Sequence, residues 1–394
     1  LSESIRFVPG SFDDDAAYLG RFERRLAAKT IVAPRELALC PSVAAAQYAT
    51  LFFLLRAPDL SLISVWSPTF LTELLKLLWN RWESVCDDIA RGQIAVDHPT
   101  DESAVTQRRY PPVLDRAEYL RRVFRHADDI SQCVLSIWPS LALVSCWEDG
   151  PSLVHANNLR RYLPEIELQP KGLLATEAFV TVPLVSLVAC ALAIRSHFFE
   201  FQPVESDRSD HTVRPLLADE LAEGGRYRVI VTTGGGLYRY ELHDEVEVVG
   251  FHSQVPLLRF LGKTDETSDL VGEKLNAAHV QSVLQAAFRD LCLTPIYSQL
   301  RAIESSPPGY ALQIVAPSLV DAPHLQRQLR DAVELGLHAN PAYRYARSLG
   351  QLCELELEVL NEQEVDAQNG NRTTARIAAG QRLGDIKPST IMVS

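Results

Sequence analysis

The chain has 394 residues, 47% of them hydrophobic and 22% charged, which is enough for a large core and two lobes. Its formal net charge of −12, with no basic cluster to offset it, excludes a nucleic-acid surface and an anionic-membrane surface. Ten histidines lie scattered without the paired spacing of a metal site, and seven cysteines with no CxxC read as reduced core residues of a cytoplasmic protein.

No apolar stretch has the length and purity of a membrane span, since Phe179 to Ile194 is broken by Pro183 and Ser186. The opening LSESIRFVPG lacks the charged front and apolar run of a signal peptide. The chain opens on Leu1 and its single methionine is Met392, which reads as a fragment, a processed chain or a non-standard start codon.

Asp13-Asp14-Asp15 before an AAYLGRFERRLAA run reads as the acidic first turn of a helix, with a metal site as the alternative. Gln47 to Leu55 continues the apolar core, and Leu60 to Trp66 reads as a buried strand. Ser67-Pro68 then supplies an N-cap and a first-turn proline. Leu71, Leu74, Leu75, Leu78, Trp82, Val85 and Ile89 fall on one face of a long helix that ends near Gly92. Gln93 to Pro112 is polar, proline-bearing and aperiodic, so it reads as an exposed connection. Ala117 to Ala127 has helical spacing with arginines on its polar face, and Val134 to Trp147 reads as a helix end followed by a buried strand.

LLATEAF, Leu173 to Phe179, places a hydroxyl and a carboxylate side by side; from the residues alone it also fits a helix N-terminus. After an apolar run from Leu184 to Ile194, His197 to Phe201 reads as a short strand and Pro203 to His211 as a charged loop. Arg228 to Thr233 and Leu237 to Leu242 are two strands joined at Gly234-Gly235-Gly236. These glycines suit a hairpin turn better than a phosphate cradle, because a strand follows them rather than a helix. Asp244 stands just past the second strand, where a carboxylate can accept two hydrogen bonds from a sugar diol or simply cap a turn.

Strands are expected at Val246 to Phe251 and Leu257 to Gly262, and Gly272-Glu273-Lys274 is expected to open an amphipathic helix running to Leu291. Ala311 to Ala316 reads as a strand, Pro323 to Leu337 as a helix, and Cys353 to Val359 as a half-exposed alternating strand.

TTGGGLYRYELHD, followed by strand, Asp265 and GEKL, resembles the closing half of the auxin-responsive acyl acid amido synthetases, the GH-three family of the adenylate-forming superfamily. That family's signature has the form T-T-x-x-G-L-Y-R-Y followed by a Gly-Asp or similar pair. The resemblance implies an α/β (α+β) adenylate-forming fold, with a large multi-sheet lobe over 1–262 and a small α+β lid over 263–394. It implies a swivel near Lys263 and Asp265. It places Thr176, Thr232, Thr233, Tyr238 and Asp244 around a nucleotide, with Asp244 on the ribose. Glu177 holds Mg2+ as an oxygen ligand, and Lys387 neutralises charge as pyrophosphate leaves. Trp66 and Phe70 are candidates for the acyl pocket. Three residues depart from the pattern: Leu173 for a tyrosine, Ala175 for a hydroxyl, and Lys263 for an arginine.

No Ser/Thr/Gly-rich phosphate loop stands between Leu1 and Thr50, so the large lobe is expected to be incomplete at its N-terminus. The function implied is ATP-dependent activation of a carboxylic acid as an acyl-adenylate and its transfer to an amino acid or other amine. Transfer to coenzyme A is the alternative, as is a non-catalytic, nucleotide-binding or interaction protein descended from such an enzyme.

Overall fold

The computed structural model describes residues 30–95, 101–204, 214–263, 267–268, 270–271, 273–303, 305, 307–365, 367 and 391–392. They pack as two units, Leu1–Cys146 with Asn158–Leu168 and Ala367–Lys387, and Trp147–Asn157 with Gln169–Asp366 and Pro388–Ser394. This division does not follow 262/263; the second unit runs through that point. Asp13 to Asp15, Asp265 and Lys387 lie outside the described residues.

In the first unit, helix α1 (Val43–Arg56) begins where the Ser42 hydroxyl accepts the Ala45 amide, and it buries Leu51, Phe52 and Leu55. The short strand β1 (Leu62–Ser64) leads into α2 (Pro68–Arg91), which starts after Ser67 with proline in its first turn. Its apolar stripe Leu71, Leu74, Leu75, Leu78, Val85 and Ile89 is buried as the spacing requires. The helix stops at Gly92, whose φ of 66° and close approach to the Tyr110 carbonyl admit no side chain.

The aperiodic stretch that follows holds more order than its composition suggests. Helix α3 (Ala104–Gln107) is closed by a reciprocal cap between Ser103 and Thr106, with Val105 and Thr106 buried. Then come α4 (Leu114–Arg125), the one-turn α5 (Val134–Ile137) and β2 (Leu143–Cys146), followed by α6 (Leu153–Tyr162) and β3 (Glu167–Pro170), through each of which the division between the units passes. Strands β1 and β2 pair in parallel, and the sheet order is β1-β2-β3.

One buried cation ties this unit together. Arg116, on α4, donates from Nε to the Leu55 carbonyl at 2.8 Å and from Nη2 to the Ile137 carbonyl at 2.6 Å. Trp138 Nε1 donates to the Leu54 carbonyl beside it. These donors reach carbonyls in the last turns of α1 and α5, where the helical ladder runs out; the Leu54 carbonyl also accepts the Ala57 amide at 3.2 Å.

The second unit contains a six-stranded sheet of β4 (Thr181–Val182), β5 (Cys190–Leu192), β6 (Phe198–Pro203), β7 (Arg226–Thr232), β8 (Tyr240–His252) and β9 (Val255–Lys263), in the order β4-β5-β9-β8-β7-β6. Every pair in it is antiparallel. Val180, Leu192, Phe199, Phe201, Val229, Val231, Val246 and Leu258 come from across the sheet yet form one core, so the sheet curls round its own apolar face. The short link from Leu192 to Phe198 joins strands separated by three others in that order, which the same curl permits.

Past β9 come the small pair β10 (Thr267–Ser268) and β11 (Leu275–Asn276), and α7 (Ala277–Asp290). The start of α7 departs from the sequence reading. GEKL does not open the helix: Lys274 has φ of 46°, Leu275–Asn276 is strand, and Asn276 is the cap, accepting the Ala278 amide at 2.8 Å. A second sheet follows, built from β12 (Tyr297–Ile303), β13 (Gly309–Val315), β14 (Glu356–Val359) and β15 (Ile391–Met392) in the order β14-β13-β12-β15, with α8 (Pro323–Leu337) and α9 (Pro341–Ser348). Leu312, Ile314, Leu284, Leu329, Val333 and Tyr343 form its core.

Replacing Arg116 by methionine keeps the stem but strands two buried carbonyls. The expected loss of stability is roughly 2–4 kcal/mol, read as the shift of a chemical-denaturation midpoint.

Candidate functional site

The β7–β8 hairpin is held by its own hydrogen bonds. The Thr233 amide donates to the Leu237 carbonyl at 2.9 Å, the Gly236 amide donates back to the Thr233 carbonyl at 3.2 Å, and Gly236 has φ of 107°. The glycines therefore make a turn, as read from the sequence. Both threonine hydroxyls serve it: Thr232 Oγ1 accepts the Arg239 amide at 3.0 Å and Thr233 Oγ1 accepts the Leu237 amide at 3.3 Å. Arg239 Nε pairs with Glu200 on β6 at 2.9 Å. Tyr238 projects from the turn, 81% exposed.

Asp244 does not stand past a strand. Tyr240–His252 is one continuous strand, and the polar His243-Asp244 pair that reads as a break is absorbed in a bulge. Between the pairs Ile230↔Glu241 and Arg228↔Glu245, β8 carries Leu242, His243 and Asp244 against the single residue Val229. His243 takes φ of 58°. Asp244 is 2% exposed, lies opposite Lys263 in the β8–β9 ladder, and has the Lys263 ammonium 2.8 Å from Oδ1. Lys263 is the last residue of β9 and donates also to the Leu242 carbonyl at 3.1 Å.

Thr176 and Glu177 form the exposed tip of a tight loop rather than a helix N-terminus. The Ala175 amide donates to the Ala178 carbonyl at 3.0 Å across the tip, and Leu174 bridges Phe179 below it. Thr181 Oγ1 accepts the Leu173 amide at 2.7 Å at the base. The Ser196 hydroxyl donates to the Phe179 carbonyl at 2.7 Å, and two residues on, Phe198 pairs with Thr232. Ser196 thus links the Thr176–Glu177 loop to the strand pair that carries the threonine hairpin. Trp66 and Phe70, half-buried, flank the start of α2 in the first unit.

The sequence reading missed Asp149. Glu148-Asp149-Gly150 follows β2 and seats on β9: Gln281 of α7 donates to the Gly150 carbonyl at 2.9 Å, and a Cβ at Gly150 would meet the Phe260 ring at 3.0 Å. Burial pushes the Asp149 carboxyl up to about 6, and neighbouring Glu148 adds to the rise; the Arg259 guanidinium and the Phe260 amide oppose it. The Cys190 thiol on β5, itself pushed up to about 12 by burial, stays neutral beside it. No sequence signal marks this group, because its surroundings come from β5 and β9, far along the chain.

Among the described residues no group of three or more His, Cys, Asp or Glu side chains could hold a metal, and no helix is long and apolar enough to cross a membrane. A hard cation carried mainly by phosphate oxygens and water asks only one carboxylate of the protein, and exposed Glu177 beside the Thr176 hydroxyl fits that request. A separate groove of about 450 Å³ in the first unit, between Tyr119, Arg122, His126 and Cys133, contains none of the residues named above.

Residues 15–168 match the GH3 family N-terminal domain and residues 190–263 the GH3 family central domain. The chain belongs to the GH3 family. Its fold is that of GH3 adenylate-forming enzymes: it aligns with "AtGH3.15 acyl acid amido synthetase in complex with 2,4-DB" at a TM-score of 0.76 and 19% identity, over 94% of this chain and 66% of that one. It is 22% identical over 338 residues to the indole-3-acetic acid-amido synthetase GH3.3 of Arabidopsis thaliana, covering 80% of this chain and 55% of the relative. It is 26% identical over 227 residues to the probable indole-3-acetic acid-amido synthetase GH3.6 of Oryza sativa subsp. japonica, covering 54% and 46%. The chain spans about half the length of these relatives.

Asp149 makes a measurable link to pH. Its folded value of about 6 lies above the roughly 3.9 of an unfolded aspartate. Between those values the folded chain holds a proton that the unfolded chain has released, so this group's contribution to stability is full below pH 4 and is lost as pH rises through 6. Asp149→Asn is therefore expected to gain stability relative to wild type, by about 2 kcal/mol, between pH 4 and pH 7 in parallel thermal melts.

Proposed function

We propose that this chain carries the nucleotide-handling half of an ATP-dependent acyl acid amido synthetase. The observation that carries the reading is the buried carboxylate of Asp244, set in a bulge immediately below the TTGGGLYRY hairpin in a chain of GH3 membership. The reaction joins a carboxylic acid to an amino acid or other amine. The acid's carboxylate oxygen attacks the α-phosphate of ATP and pyrophosphate departs. The amine nitrogen then opens the mixed anhydride, forming the amide and releasing AMP.

In this reading Asp244 accepts the ribose hydroxyls, and the Thr176, Thr232 and Thr233 hydroxyls donate to phosphate oxygens. Tyr238 flanks the nucleotide, Glu177 holds Mg2+, and Lys387 stabilises the departing pyrophosphate. Trp66 and Phe70 border the acid. Magnesium, when bound, supplies charge neutralisation on the phosphates.

The reading is tested by calorimetric titration of AMP, and of ATP with magnesium, into this chain. AMP is expected to bind and Asp244→Ala to abolish the binding. Glu177→Gln is expected to leave AMP affinity unchanged while weakening the magnesium dependence of ATP binding roughly tenfold. Unaltered AMP binding by Asp244→Ala sinks the ribose assignment. No binding of either nucleotide favours the non-catalytic reading. Release of pyrophosphate with coenzyme A as the productive acceptor, rather than an amine, would transfer the chain to the acyl-CoA ligases.

A further inference from the structure

We infer that Lys263 is a positioning residue for the Asp244 carboxylate, a clip across the β8 bulge rather than the pivot of a swivel. The inference rests on the ribose-site reading above for its consequence, but its geometry stands apart from it. Three residues of β8, Leu242 to Asp244, face one residue of β7, so the regular ladder lapses there and cannot fix the direction of the carboxylate. The single ammonium of Lys263 spans the gap. It donates to the Leu242 carbonyl at one end of the bulge, 3.1 Å away, and lies 2.8 Å from Asp244 Oδ1 at the other.

The residue between the two attachments is His243, in the left-handed region at φ of 58°, a conformation that costs a residue with a side chain and persists where neighbours hold it. Lys263 itself is not loose. It is paired opposite Asp244 at the end of the β8–β9 ladder, and its carbonyl accepts from Asn276 Nδ2 at 3.4 Å. A lysine stem of four methylenes reaches diagonally from one strand to its neighbour. The Lys263 side chain is 33% exposed while that of Asp244 is 3% exposed, so the cation sits between the carboxylate and solvent.

The test uses four forms of the 394-residue chain: wild type, Lys263→Met, Asp244→Asn and the double variant, with Lys263→Arg as the conservative control. AMP is the probe, by calorimetry, and each protein is also melted. The clip predicts that the two single losses of melting temperature do not add in the double variant, since each removes the same interaction. It also predicts that Lys263→Met weakens AMP binding roughly tenfold or more, that Lys263→Arg restores most of it, and that the double variant binds no worse than Asp244→Asn.

Additive losses in melting temperature overturn the clip whatever AMP does. Lys263→Met binding AMP like wild type, while Asp244→Asn does not, overturns the positioning role. Coupled melting losses with AMP affinity untouched in Asp244→Asn leave the clip standing and remove the ribose reading alone.

Discussion

A carboxylate that is 2% exposed must take up a proton or keep a cation beside it, because an isolated buried charge costs far more than a hydrogen bond returns. Asp244 keeps Lys263 at 2.8 Å, and much of the second unit is arranged so that it can. The strand β8 must run unbroken through residues 240–252 to set Asp244 against the end of β9. The β9 strand must end at Lys263, with Gly262 before it, where the backbone of Ala278 on α7 approaches to 3.3 Å of the place a Cβ would occupy. Asn276, which caps α7, reaches the Lys263 carbonyl as well. One ion pair thus sits where the curled sheet, the bulge and the first helix after the sheet converge.

Similar polar seams recur on the same sheet. Arg226 pairs with Glu245, Arg228 with Glu241 and Arg259 with Glu247, all within β7, β8 and β9. Glu245 and Arg228 are buried, 2% and 6% exposed. Alternation explains them: along β8 the residues Val246 and Val248 turn toward the core, so Glu245 and Glu247 turn away from it, and each meets an arginine on a neighbouring strand. Arginine suits such places because its fork stays charged and satisfies carboxylate oxygens at little cost in order. Along β8, then, valines that join the apolar core alternate with glutamates paired to arginines on the neighbouring strands.

What could be read without coordinates follows from how local each signal is. The extent of the helix Pro68–Arg91 was legible from local signals, its first-turn proline, its apolar stripe and the glycine that follows it, although the Ser67 side chain makes no capping hydrogen bond. Pro323–Leu337 and the β7–β8 turn were legible for the same reason. The continuity of β8 was not. His243-Asp244 carries the composition of a turn, and only pairing with Val229 and Lys263 turns it into a bulge. The capped turn at Ser103 was hidden because threonine, not an acid, completes the reciprocal cap. Leu184, Val185 and Val188 belong to the apolar run noted in the sequence yet are 47%, 81% and 80% exposed, in the link between β4 and β5. Asp149 left no trace in the sequence for the converse reason, its environment being wholly tertiary.

The threonines show how a site can serve fold and chemistry with the same atoms. Each of Thr232 and Thr233 spends one oxygen lone pair on a backbone amide of its own hairpin, which fixes where the oxygen lies. A hydroxyl that accepts still has its hydrogen to donate, and a phosphate oxygen is an acceptor without a donor of its own. The amide contacts therefore orient the hydroxyls for the role proposed for them instead of competing with it. Glu177 is the opposite case. It stands at an exposed loop tip with the Ala175–Ala178 contact behind it, so its carboxylate stays solvated, and a hydrated divalent ion carried in on phosphate can meet it without first displacing a protein partner. The role proposed for Asp244 asks the reverse: its carboxylate lies 2.8 Å from the Lys263 ammonium, and in that role a sugar diol would exchange places with the cation or share the carboxylate with it. A buried anion with a fixed partner favours donors that arrive in matched pairs, and a ribose diol presents two hydroxyls at such a spacing.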